Sequence, residues 1–288
     1  AAHARQTFPF DLGGLTLALD CAHGATWHVG PRLFRALGAK VVVLSARPDG
    51  LNINDKCGAL HPGRLQRRVR AAGADLGLAF DGDGDRLIAV DESGELRDGD
   101  YALAICGRHL AAHGRLKTGT VVTTVMANLG LDKALAAAGI RTAKTQVGDR
   151  YVLEEMVKTG ANLGGEQSGH LLFLDQSATG DGIVSALQLL AVMRETGQPL
   201  SALASCMTKF PQVLVNVRVR EKPPLDSIPG LADRQAAHER ELGAAGRILL
   251  RYSGTENLAR VMIEGEDSAR IEEMAAELSR IIKKAVGA

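Results

Sequence analysis

The chain has 288 residues, which is enough to bury a large core and to form two or three domains. Its net charge of +1 and its aromatic content of only 3% argue against a nucleic-acid surface and against base-stacking platforms. No apolar run approaches the ~20 residues that a membrane-spanning helix needs, and no signal peptide is recognised. The four cysteines contain no C-x-x-C pair, which argues against a zinc site or a disulfide scaffold and favours a reducing cytoplasm.

The first part of the chain predicts a βαβ unit followed by a hairpin, and we assign it to a domain over residues 1–95. Its predicted strands cover residues 15–19, 39–44, 74–80 and 87–91. Its predicted helices run from Pro31, a favoured first helical position, to the stop at Gly38, and over residues 62–72. This order favours a parallel sheet that is covered by helices.

Three aspartates occupy alternate positions directly after the strand over residues 74–80: Asp81, Asp83 and Asp85. Extended backbone would put their side chains on one side, and the intervening glycines let the chain curl so that the carboxylate oxygens converge. Mg²⁺ prefers such oxygen ligands and often leaves further positions to substrate phosphates. Arg86 follows at once and adds a planar cation suited to phosphate. Open α/β sheets bind ligands at the carboxyl ends of strands, so the sequence predicts a magnesium site here.

Two other interpretations of this aspartate loop stay open. The three aspartates and Glu92 match ligand positions of an EF-hand, but Arg86 stands where that loop needs glycine, and strands are predicted on both sides. An acidic surface turn is the second interpretation, although turns seldom carry three aspartates and an arginine after a buried strand.

The next stretch repeats the α/β pattern and predicts a second domain over residues 96–208. Its predicted strands cover residues 120–126, 140–146 and 171–174. Its predicted helices cover residues 101–113, 129–138, 149–158, a long stretch opened by residues 179–182 and ended by Gly197, and residues 200–209.

A glycine-rich loop with four different polar side chains precedes the strand over residues 171–174. Glu166, Gln167, Ser168 and His170 offer a carboxylate, an amide, a hydroxyl and an imidazole, a set that suits a polyhydroxylated ligand such as a sugar. A turn whose polar groups cap one another is the alternative. A nucleophilic role for Ser168 is disfavoured, because the glycine spacing differs from that of a G-x-S-x-G elbow.

Residues 209–288 predict a smaller third domain of the α+β type. Its predicted strands cover residues 212–219, 247–250 and 261–263, and its predicted helices cover residues 232–242 and 267–286. The last helix has Asp267 near its start and lysines near its end, as the helix dipole favours.

A loop with flanking arginines lies between the last two predicted strands. Ser253, Gly254 and Thr255 lie between Arg251 and Arg260. Backbone N–H groups and the two hydroxyls can donate to phosphate oxygens, while an arginine supplies a fork-shaped cation. A solvated turn is the alternative. The three loops make sense together if they surround one ligand that carries hydroxyl and phosphate groups, with the metal near a second phosphoryl group.

These three loops, in this order, resemble the metal, sugar and phosphate loops of the α-D-phosphohexomutase superfamily: residues 80–86, 164–170 and 251–260. The motifs at residues 125–130 and 147–152 are similar to the bacterial phosphoglucosamine mutase branch, as is Gln167, where the phosphomannomutase/phosphoglucomutase branch typically has methionine. The resemblance runs from about Gly14 to the C-terminus. It implies two successive α/β domains with mixed or parallel sheets and a smaller α+β domain, which correspond to the second, third and fourth domains of the family.

The resemblance also implies an activity, the interconversion of glucosamine 6-phosphate and glucosamine 1-phosphate in amino-sugar and peptidoglycan precursor synthesis. In this family a phosphoserine gives its phosphoryl group to the sugar, the bisphosphate intermediate turns over in the site, and the other phosphate returns to the serine. Mg²⁺ bridges the aspartates and the phosphoserine.

Residue roles follow by motif from the same resemblance. The expected Mg²⁺ ligands are Asp81, Asp83 and Asp85. The expected substrate contacts are Arg86, Glu166, Gln167, Ser168 and His170. The expected contacts to the phosphate farther from the phosphoserine are Arg251, Ser253, Gly254, Thr255 and Arg260.

The sequence departs from the family in two respects. The family nucleophile lies in a T-A-S-H-N-P-like motif of an N-terminal domain, and no serine of these 288 residues has that context. We therefore expect the chain to be the rear part of a longer protein, without a catalytic nucleophile and inactive unless that N-terminal domain joins it as a partner. Tyr252 is atypical and Asn257 replaces the usual proline, which puts the shape of the phosphate loop in doubt.

Rival functions remain at this point. A non-catalytic module that binds sugar phosphate or metal is one rival. A metal-dependent phosphatase is another, disfavoured because no nucleophilic aspartate in a D-x-D-x-T/V pattern follows a strand. Within the family, phosphomannomutase or phosphoglucomutase specificity is the alternative, because the preference for glucosamine depends mainly on Gln167.

Overall fold

The structure, a computed structural model, describes residues 11–254 and 256–288, which group into two units. The first unit comprises the described residues up to Ala127 together with Leu131–Thr208, and the second comprises Asn128–Gly130 with Lys209–Ala288. Each unit contains a hydrophobic core of its own. None of the helices in these described ranges combines the length and the apolar character needed to cross a bilayer.

The first sheet of the first unit has the strand order β2-β1-β3-β4-β5. These strands are β1 (Thr16–Asp20), β2 (Lys40–Leu44), β3 (Leu76–Phe80), β4 (Leu87–Asp91) and β5 (Leu96–Arg97). Strands β2, β1 and β3 are parallel, and they are joined by helices α1 (Thr26–Ala36) and α2 (Gly63–Ala72). Strands β4 and β5 are antiparallel and form the predicted hairpin. Because every residue of β3 and β4 is buried, the loop between them is anchored on both sides by the sheet interior.

The predicted start of the first helix is wrong. Helix α1 begins at Thr26, and Pro31 lies inside it. The backbone N–H of Trp27 donates to the carbonyl of Gly24, so the helical turn is already formed before the proline is reached. Gly38, with φ +96°, adopts the left-handed conformation just beyond the end of the helix, close to the predicted stop.

The second sheet of the first unit has the strand order β7-β6-β8-β9. These strands are β6 (Thr120–Thr124), β7 (Arg141–Thr145), β8 (Leu163–Gly165) and β9 (Leu171–Phe173). Strand β6 is parallel to β7 and β8, and β9 runs antiparallel to β8. The associated helices are α3 (Gly99–Ala112), α4 (Leu129–Ala136), α5 (Asp149–Thr159), α6 (Gly182–Thr196) and α7 (Leu200–Ala204), and the first two residues of α4 belong to the second unit.

Helix α7 is shorter than the predicted stretch over residues 200–209. The backbone N–H groups of Cys206 and Met207 donate to carbonyls three residues back, so the chain tightens into a turn after Ala204. The side chain of Met207 is buried at this turn. Burial of that side chain, which the sequence pattern did not indicate, accompanies the early end of the helix.

One continuous cluster of buried side chains unites the two sheets of the first unit. It includes Leu19 and Leu78 from the first sheet, Leu163 from the second, and Leu103 and Leu190 from α3 and α6. Interiors pack as densely as organic crystals, so a shared core holds the loops at the strand ends in defined positions. The aspartate loop and the Glu166 loop both emerge from this core.

The second unit is a three-stranded antiparallel sheet with the order β10-β12-β11, covered by two helices. Its strands are β10 (Gln212–Arg218), β11 (Gly246–Tyr252) and β12 (Leu258–Gly265), and its helices are α8 (Leu231–Leu242) and α9 (Ser268–Val286). Side chains such as Val261 and Ile263 from β12 pack against Met274 and Leu278 from α9 in its core. The predicted fold class, two mixed α/β sheets followed by a smaller α+β fold, is confirmed.

A fully buried carboxylate organises the second unit. Glu264 Oε2 accepts hydrogen bonds from Arg247 Nε at 2.6 Å and from the backbone N–H of Leu129 at 2.9 Å. Its Oε1 accepts from the side-chain amides of Asn128 at 3.1 Å and Gln212 at 2.9 Å. A buried charge is tolerated when it is paired and hydrogen-bonded in this way, and the network explains why residues 128–130 belong to the second unit.

Candidate functional site

The aspartate loop follows β3 in the first unit and brings its three carboxylates together, as the sequence predicts. One oxygen of each of Asp81, Asp83 and Asp85 lies within 4.8 Å of the others. Asp81 is buried, Asp85 is half-buried and Asp83 is exposed. Strands β3 and β4 flank the loop. The EF-hand interpretation is therefore wrong, because that motif needs a helix on each side.

Two helix starts hold the backbone of the aspartate loop. The N–H of Ala25, just before α1, donates to the carbonyl of Gly82 at 2.7 Å, and the N–H of Gly182, the first residue of α6, donates to the carbonyl of Gly84 at 2.9 Å. Asp181 caps α6 by accepting from Ile183 N at 2.8 Å and from the following N–H at 3.0 Å. The positive ends of two helix dipoles thus lie against the backbone of this loop, which favours negative charge in it.

The carboxylates of this loop also repel one another. Burial raises the pKa of Asp81 above its ordinary value, and the adjacent carboxylate of Asp85 raises it further. Arg86 acts in the opposite direction, since its N–H donates to Asp81 Oδ1 at 3.1 Å and its Nε lies 3.5 Å from Asp81 Oδ2. Asp85 Oδ1 is buried without a hydrogen-bond donor among the described residues, and Arg86 Nε is 3.8 Å away from it. Converging oxygens with one buried acceptor left open fit a hard divalent cation such as Mg²⁺.

The Glu166 loop of the same unit lies directly against the aspartate loop. His170 Nδ1 donates to Asp85 Oδ2 at 3.0 Å. The N–H of Leu87 donates to the carbonyl of Gly169 at 3.0 Å, and Arg86 pairs with His170 as an isolated antiparallel bridge. The two loops therefore form one surface of the first unit, although they lie far apart in the chain.

The Glu166 loop is a tight turn, and two of its side chains form hydrogen bonds to residues outside the loop. The N–H of Glu166 donates to the carbonyl of His170, and the N–H of Gly169 donates to the carbonyl of Glu166, both at 2.9 Å. Glu166 Oε1 accepts from the N–H of Gly148 at 3.1 Å, and Gln167 Nε2 donates to Asp100 Oδ2 at 3.1 Å. Ser168 is exposed. These partners of the Glu166 and Gln167 side chains lie outside the loop, unlike the alternative in which the polar groups cap one another.

The arginine loop lies in the second unit, between β11 and β12. Arg251 and Arg260 are directly opposite each other in the antiparallel register, so their side chains leave the same face of the hairpin. Burial lowers the pKa of Arg251, and the positive charge of Arg260 lowers it further. Arg260 is bound to Glu256 at 2.9 Å. Glu256 offsets one of these two positive charges, and the remaining positive charge on this face favours a bound anion.

The turn that joins these strands adds a hydroxyl and a lysine to the arginine loop. Ser253 is buried, its N–H donates to the carbonyl of Leu258 at 2.8 Å, and its hydroxyl accepts from the N–H of Glu256 at 3.3 Å. Lys222 Nζ donates to the carbonyl of Ser253 at 2.8 Å and adds a third cation near the loop. Gly254 is exposed, with open space where a side chain would project. Thr255 lies outside the described residues.

Comparison with known families accounts for this arrangement. Residues 5–94 match the family described as phosphoglucomutase/phosphomannomutase, alpha/beta/alpha domain II. Residues 98–210 match its alpha/beta/alpha domain III, and residues 214–281 match its C-terminal domain. The chain belongs to the phosphoglucomutase/phosphomannomutase family. The resemblance inferred from the three loops is confirmed.

Among curated members of this family, similar relatives are phosphoglucosamine mutases. That of Desulforudis audaxviator is 56% identical over 96% of this chain and 61% of the relative. That of Anaeromyxobacter dehalogenans is 53% identical over 100% of this chain and 63% of the relative. The chain thus spans about three fifths of the length of these phosphoglucomutase/phosphomannomutase relatives.

Solved structures of the family share the fold. A phosphoglucomutase/phosphomannomutase family protein from Burkholderia thailandensis has a TM-score of 0.79 at 24% identity, covering 99% of this chain and 64% of the other. An N-acetylphosphoglucosamine mutase from Aspergillus fumigatus, solved with GlcNAc-6P and magnesium, has a TM-score of 0.78 at 22% identity, covering 98% of this chain and 68% of the other. At these identities the likeness concerns the fold alone.

Several residues around the candidate loops are not recognisable from the sequence motifs. Asp100 is fully buried and accepts from Gln167, Gly148 contacts Glu166, and Lys222 approaches Ser253. For Asp100 the sequence does contain an indication, because Asp98 and Asp100 form an acidic pair just before a predicted helix. The other two contacts depend on tertiary structure, because each joins segments that are distant in the chain.

Proposed function

We propose that this chain forms the metal-, sugar- and phosphate-binding domains of a phosphoglucosamine mutase, which interconverts glucosamine 6-phosphate and glucosamine 1-phosphate. The observation that carries the proposal is the hydrogen bond from His170 to Asp85, which joins the candidate metal loop to the candidate sugar loop. The similarity to phosphoglucosamine mutases supports the reaction. We propose that the three functions divide among domains at residues 1–95, 96–208 and 209–288.

The proposed roles follow from donor and acceptor chemistry. Asp81, Asp83 and Asp85 would hold Mg²⁺, which when bound supplies positive charge against the phosphoryl oxygens. The guanidinium of Arg86, 39% exposed as a side chain, is available to a phosphate oxygen. His170 orients the Asp85 carboxylate through its Nδ1–H.

Sugar binding is assigned to the Glu166 loop. The Glu166 carboxylate accepts hydrogen bonds from sugar hydroxyls, and the exposed Ser168 hydroxyl can donate or accept at the same turn. Gln167, held by Asp100, is proposed to distinguish glucosamine from glucose or mannose. His170 lines the same turn.

Phosphate binding is assigned to the arginine loop of the second unit. Arg251 and Arg260 would supply bidentate N–H donors to the phosphate that is not being transferred, and Ser253 and Gly254 would add hydroxyl and backbone donors. Thr255 is included by sequence motif. The paired positive charge of the two arginines supports this assignment.

The proposed reaction has two transfers. A phosphoserine donates its phosphoryl group to the 1-hydroxyl of glucosamine 6-phosphate, the hydroxyl loses its proton, and the serine oxygen takes one up. The resulting bisphosphate then returns its 6-phosphoryl group to the serine by the reverse exchange and leaves glucosamine 1-phosphate. None of the serines in the 288 residues stands in a T-A-S-H-N-P-like motif, so we propose that an N-terminal domain carries the phosphoserine and that this chain alone is inactive.

Adding a phosphoserine-bearing N-terminal domain to the chain tests the proposal. The purified chain is mixed with a phosphorylated N-terminal domain from one of the phosphoglucosamine mutase relatives, and glucosamine 1-phosphate formation is followed with Mg²⁺ present. We expect turnover only in the mixture, and the same mixture without Mg²⁺ is the control. Sugar-phosphate binding by the chain, with no turnover in the mixture or in a chain fused to that domain, would favour the non-catalytic module instead. Release of inorganic phosphate by the chain alone would favour a phosphatase.

Substrate competition tests the specificity. We expect the active mixture to prefer glucosamine 6-phosphate over glucose 6-phosphate and mannose 6-phosphate, and Gln167→Met to reduce that preference. A preference of the unaltered mixture for glucose or mannose would replace the glucosamine assignment. The cytoplasmic location and the sugar-precursor pathway stay predictions from the sequence.

A further inference from the structure

Two histidines and a glutamate form a cluster far along α3 and α6 from the aspartate loop. His109 lies in the last turn of α3 and His113 directly follows that helix, four residues on and therefore on the same face. Glu195 lies near the end of α6. One imidazole nitrogen from each histidine and one carboxylate oxygen lie within 4.8 Å of one another.

The hydrogen bonding of His113 prepares one ring nitrogen as a ligand. Its Nδ1 lies 2.8 Å from the backbone carbonyl oxygen of His109. A carbonyl oxygen only accepts, so Nδ1 must carry the proton. In the neutral ring this leaves a free lone pair on Nε2. Histidines that bind metals have this arrangement, with the second nitrogen donating to a carbonyl or a carboxylate.

His109 has a conflict that a metal ion would remove. Its Nε2 lies 2.8 Å from Glu195 Oε2, which can only accept, and 3.0 Å from an Arg115 N–H nitrogen, which can only donate. One imidazole nitrogen cannot satisfy both partners in the same protonation state. A cation in place of the guanidinium would bind the nitrogen lone pair and the carboxylate oxygen together.

We propose that His109, His113 and Glu195 bind a divalent transition metal, with Zn²⁺ as the expected ion. Two imidazole nitrogens and one carboxylate oxygen are a donor set that suits Zn²⁺ and not the harder Mg²⁺, which the all-oxygen aspartate loop suits. Arg115 occupies the cation position, and its side chain is 51% exposed, so the metal would displace the guanidinium from Glu195 and His109 into solvent. The site is separate from the proposed mutase chemistry and does not depend on it.

The location indicates what the metal would do. The other ends of the same two helices hold the candidate site: Gly99 at the start of α3 donates to the carbonyl of Gln167, and Gly182 at the start of α6 donates to the carbonyl of Gly84. Zn²⁺ would join the far ends of these helices and act as a structural clip. Because it binds the folded chain, it raises the melting temperature.

Calorimetric titration of the purified, chelator-treated chain with Zn²⁺ tests the site. Millimolar Mg²⁺ is kept in the buffer so that the aspartate loop is occupied. We expect one Zn²⁺ site, at least tenfold weaker in His113→Ala and in Glu195→Gln. His61→Ala removes an exposed histidine outside the cluster and is the matched control with unchanged affinity. Arg115→Ala removes the competing cation and should bind Zn²⁺ more tightly than the unaltered chain.

Melting temperatures and Co²⁺ absorption spectra provide two independent tests of Zn²⁺ binding at this cluster. Melting temperatures measured in chelator show that each variant is folded, and Zn²⁺ should raise the melting temperature of the unaltered chain and not that of His113→Ala. Co²⁺ substituted for Zn²⁺ should give visible absorption bands of nitrogen-ligated cobalt. The proposal is overturned if the unaltered chain binds no Zn²⁺, or if His113→Ala and Glu195→Gln bind it as tightly, which would leave the cluster an ion pair only.

Discussion

Asp85 and His170, 85 positions apart in the chain, are joined by a hydrogen bond of 3.0 Å between Asp85 Oδ2 and His170 Nδ1. Both side chains belong to loops at strand ends of the first unit, Asp85 after β3 and His170 just before β9. The bond fixes one carboxylate of the candidate metal site from the candidate sugar loop. Metal affinity and sugar binding are therefore expected to be coupled.

Removing the imidazole of His170 tests this coupling. We expect His170→Ala to weaken Mg²⁺ binding by about 10-fold to 100-fold, the usual effect of losing a hydrogen bond that orients a metal ligand. Competition of Mg²⁺ with bound Mn²⁺, followed by electron paramagnetic resonance, measures the affinity. His61→Ala, at an exposed position outside these loops, is the control. Equal Mg²⁺ affinity in both variants would show that His170 has no role in orienting Asp85.

The charge of Asp81 is expected to lower the stability of the folded chain without metal and to raise it when a cation is bound. Burial raises its pKa in the folded chain, so the folded chain holds a proton on Asp81 more readily than the unfolded chain does. The stability that this proton provides is present below the unfolded pKa and is lost as the pH rises through the folded pKa. At pH 7 the charged carboxylate is thus unfavourable unless a cation is bound.

We therefore expect Asp81→Asn to raise the free energy of unfolding at pH 7 in chelator and to remove the stabilisation that Mg²⁺ gives the unaltered chain. Denaturant unfolding with and without Mg²⁺ measures both effects. Asp226→Asn, at an exposed position, should change neither. A variant that is less stable than the unaltered chain in chelator would contradict the argument.

Gly169 is a position where the contact between the loops leaves no room for a side chain. Its φ is +93°, and a Cβ atom there would lie 2.2 Å from the carbonyl oxygen of Leu87. Gly114 also has positive φ, +65°, but open space around the Cβ position. Gly114→Ala should cost about 1 kcal/mol from backbone strain alone. Gly169→Ala should cost more and should also weaken Mg²⁺ binding, because the aspartate loop must shift. Equal losses of stability, measured by denaturant unfolding, would argue against a close contact.

The opposed arginines of the second unit predict a loss of sugar-phosphate affinity when one of them is replaced. Replacing Arg251 by Met removes one of two like charges, so sugar-phosphate affinity should fall about 30-fold, the equivalent of one charge-assisted hydrogen bond of ~2 kcal/mol. Calorimetry with glucosamine 6-phosphate measures this. Arg240→Met, at an exposed position on α8, is the control, and an equal loss of affinity there would indicate non-specific charge attraction.

Local chemistry makes the candidate loops recognisable from the amino-acid sequence alone. Alternating aspartates and glycines, a turn with four different polar groups, and hydroxyls between arginines are each contiguous in the chain. The sequence also predicts the long helix opened by Asp181 and the hairpin after Asp91, because capping and turn residues act over a few positions. Pro31 predicts a later start of α1 than the structure has, because proline is tolerated within the first turns of a helix as well as at its first position.

The sequence by itself therefore determined the fold class and the family, and it supplied the residues that we propose to bind metal, sugar and phosphate. Only the tertiary structure decided that His170 contacts Asp85, that Asp100 holds Gln167, that Lys222 joins the arginine loop, and that two histidines meet Glu195. The physical reason is that residue type and short spacing decide which bonds a side chain can form. Which distant partner it meets depends on how sheets and helices pack around a common core, and that packing is a sum of many weak contacts that no single stretch of sequence displays.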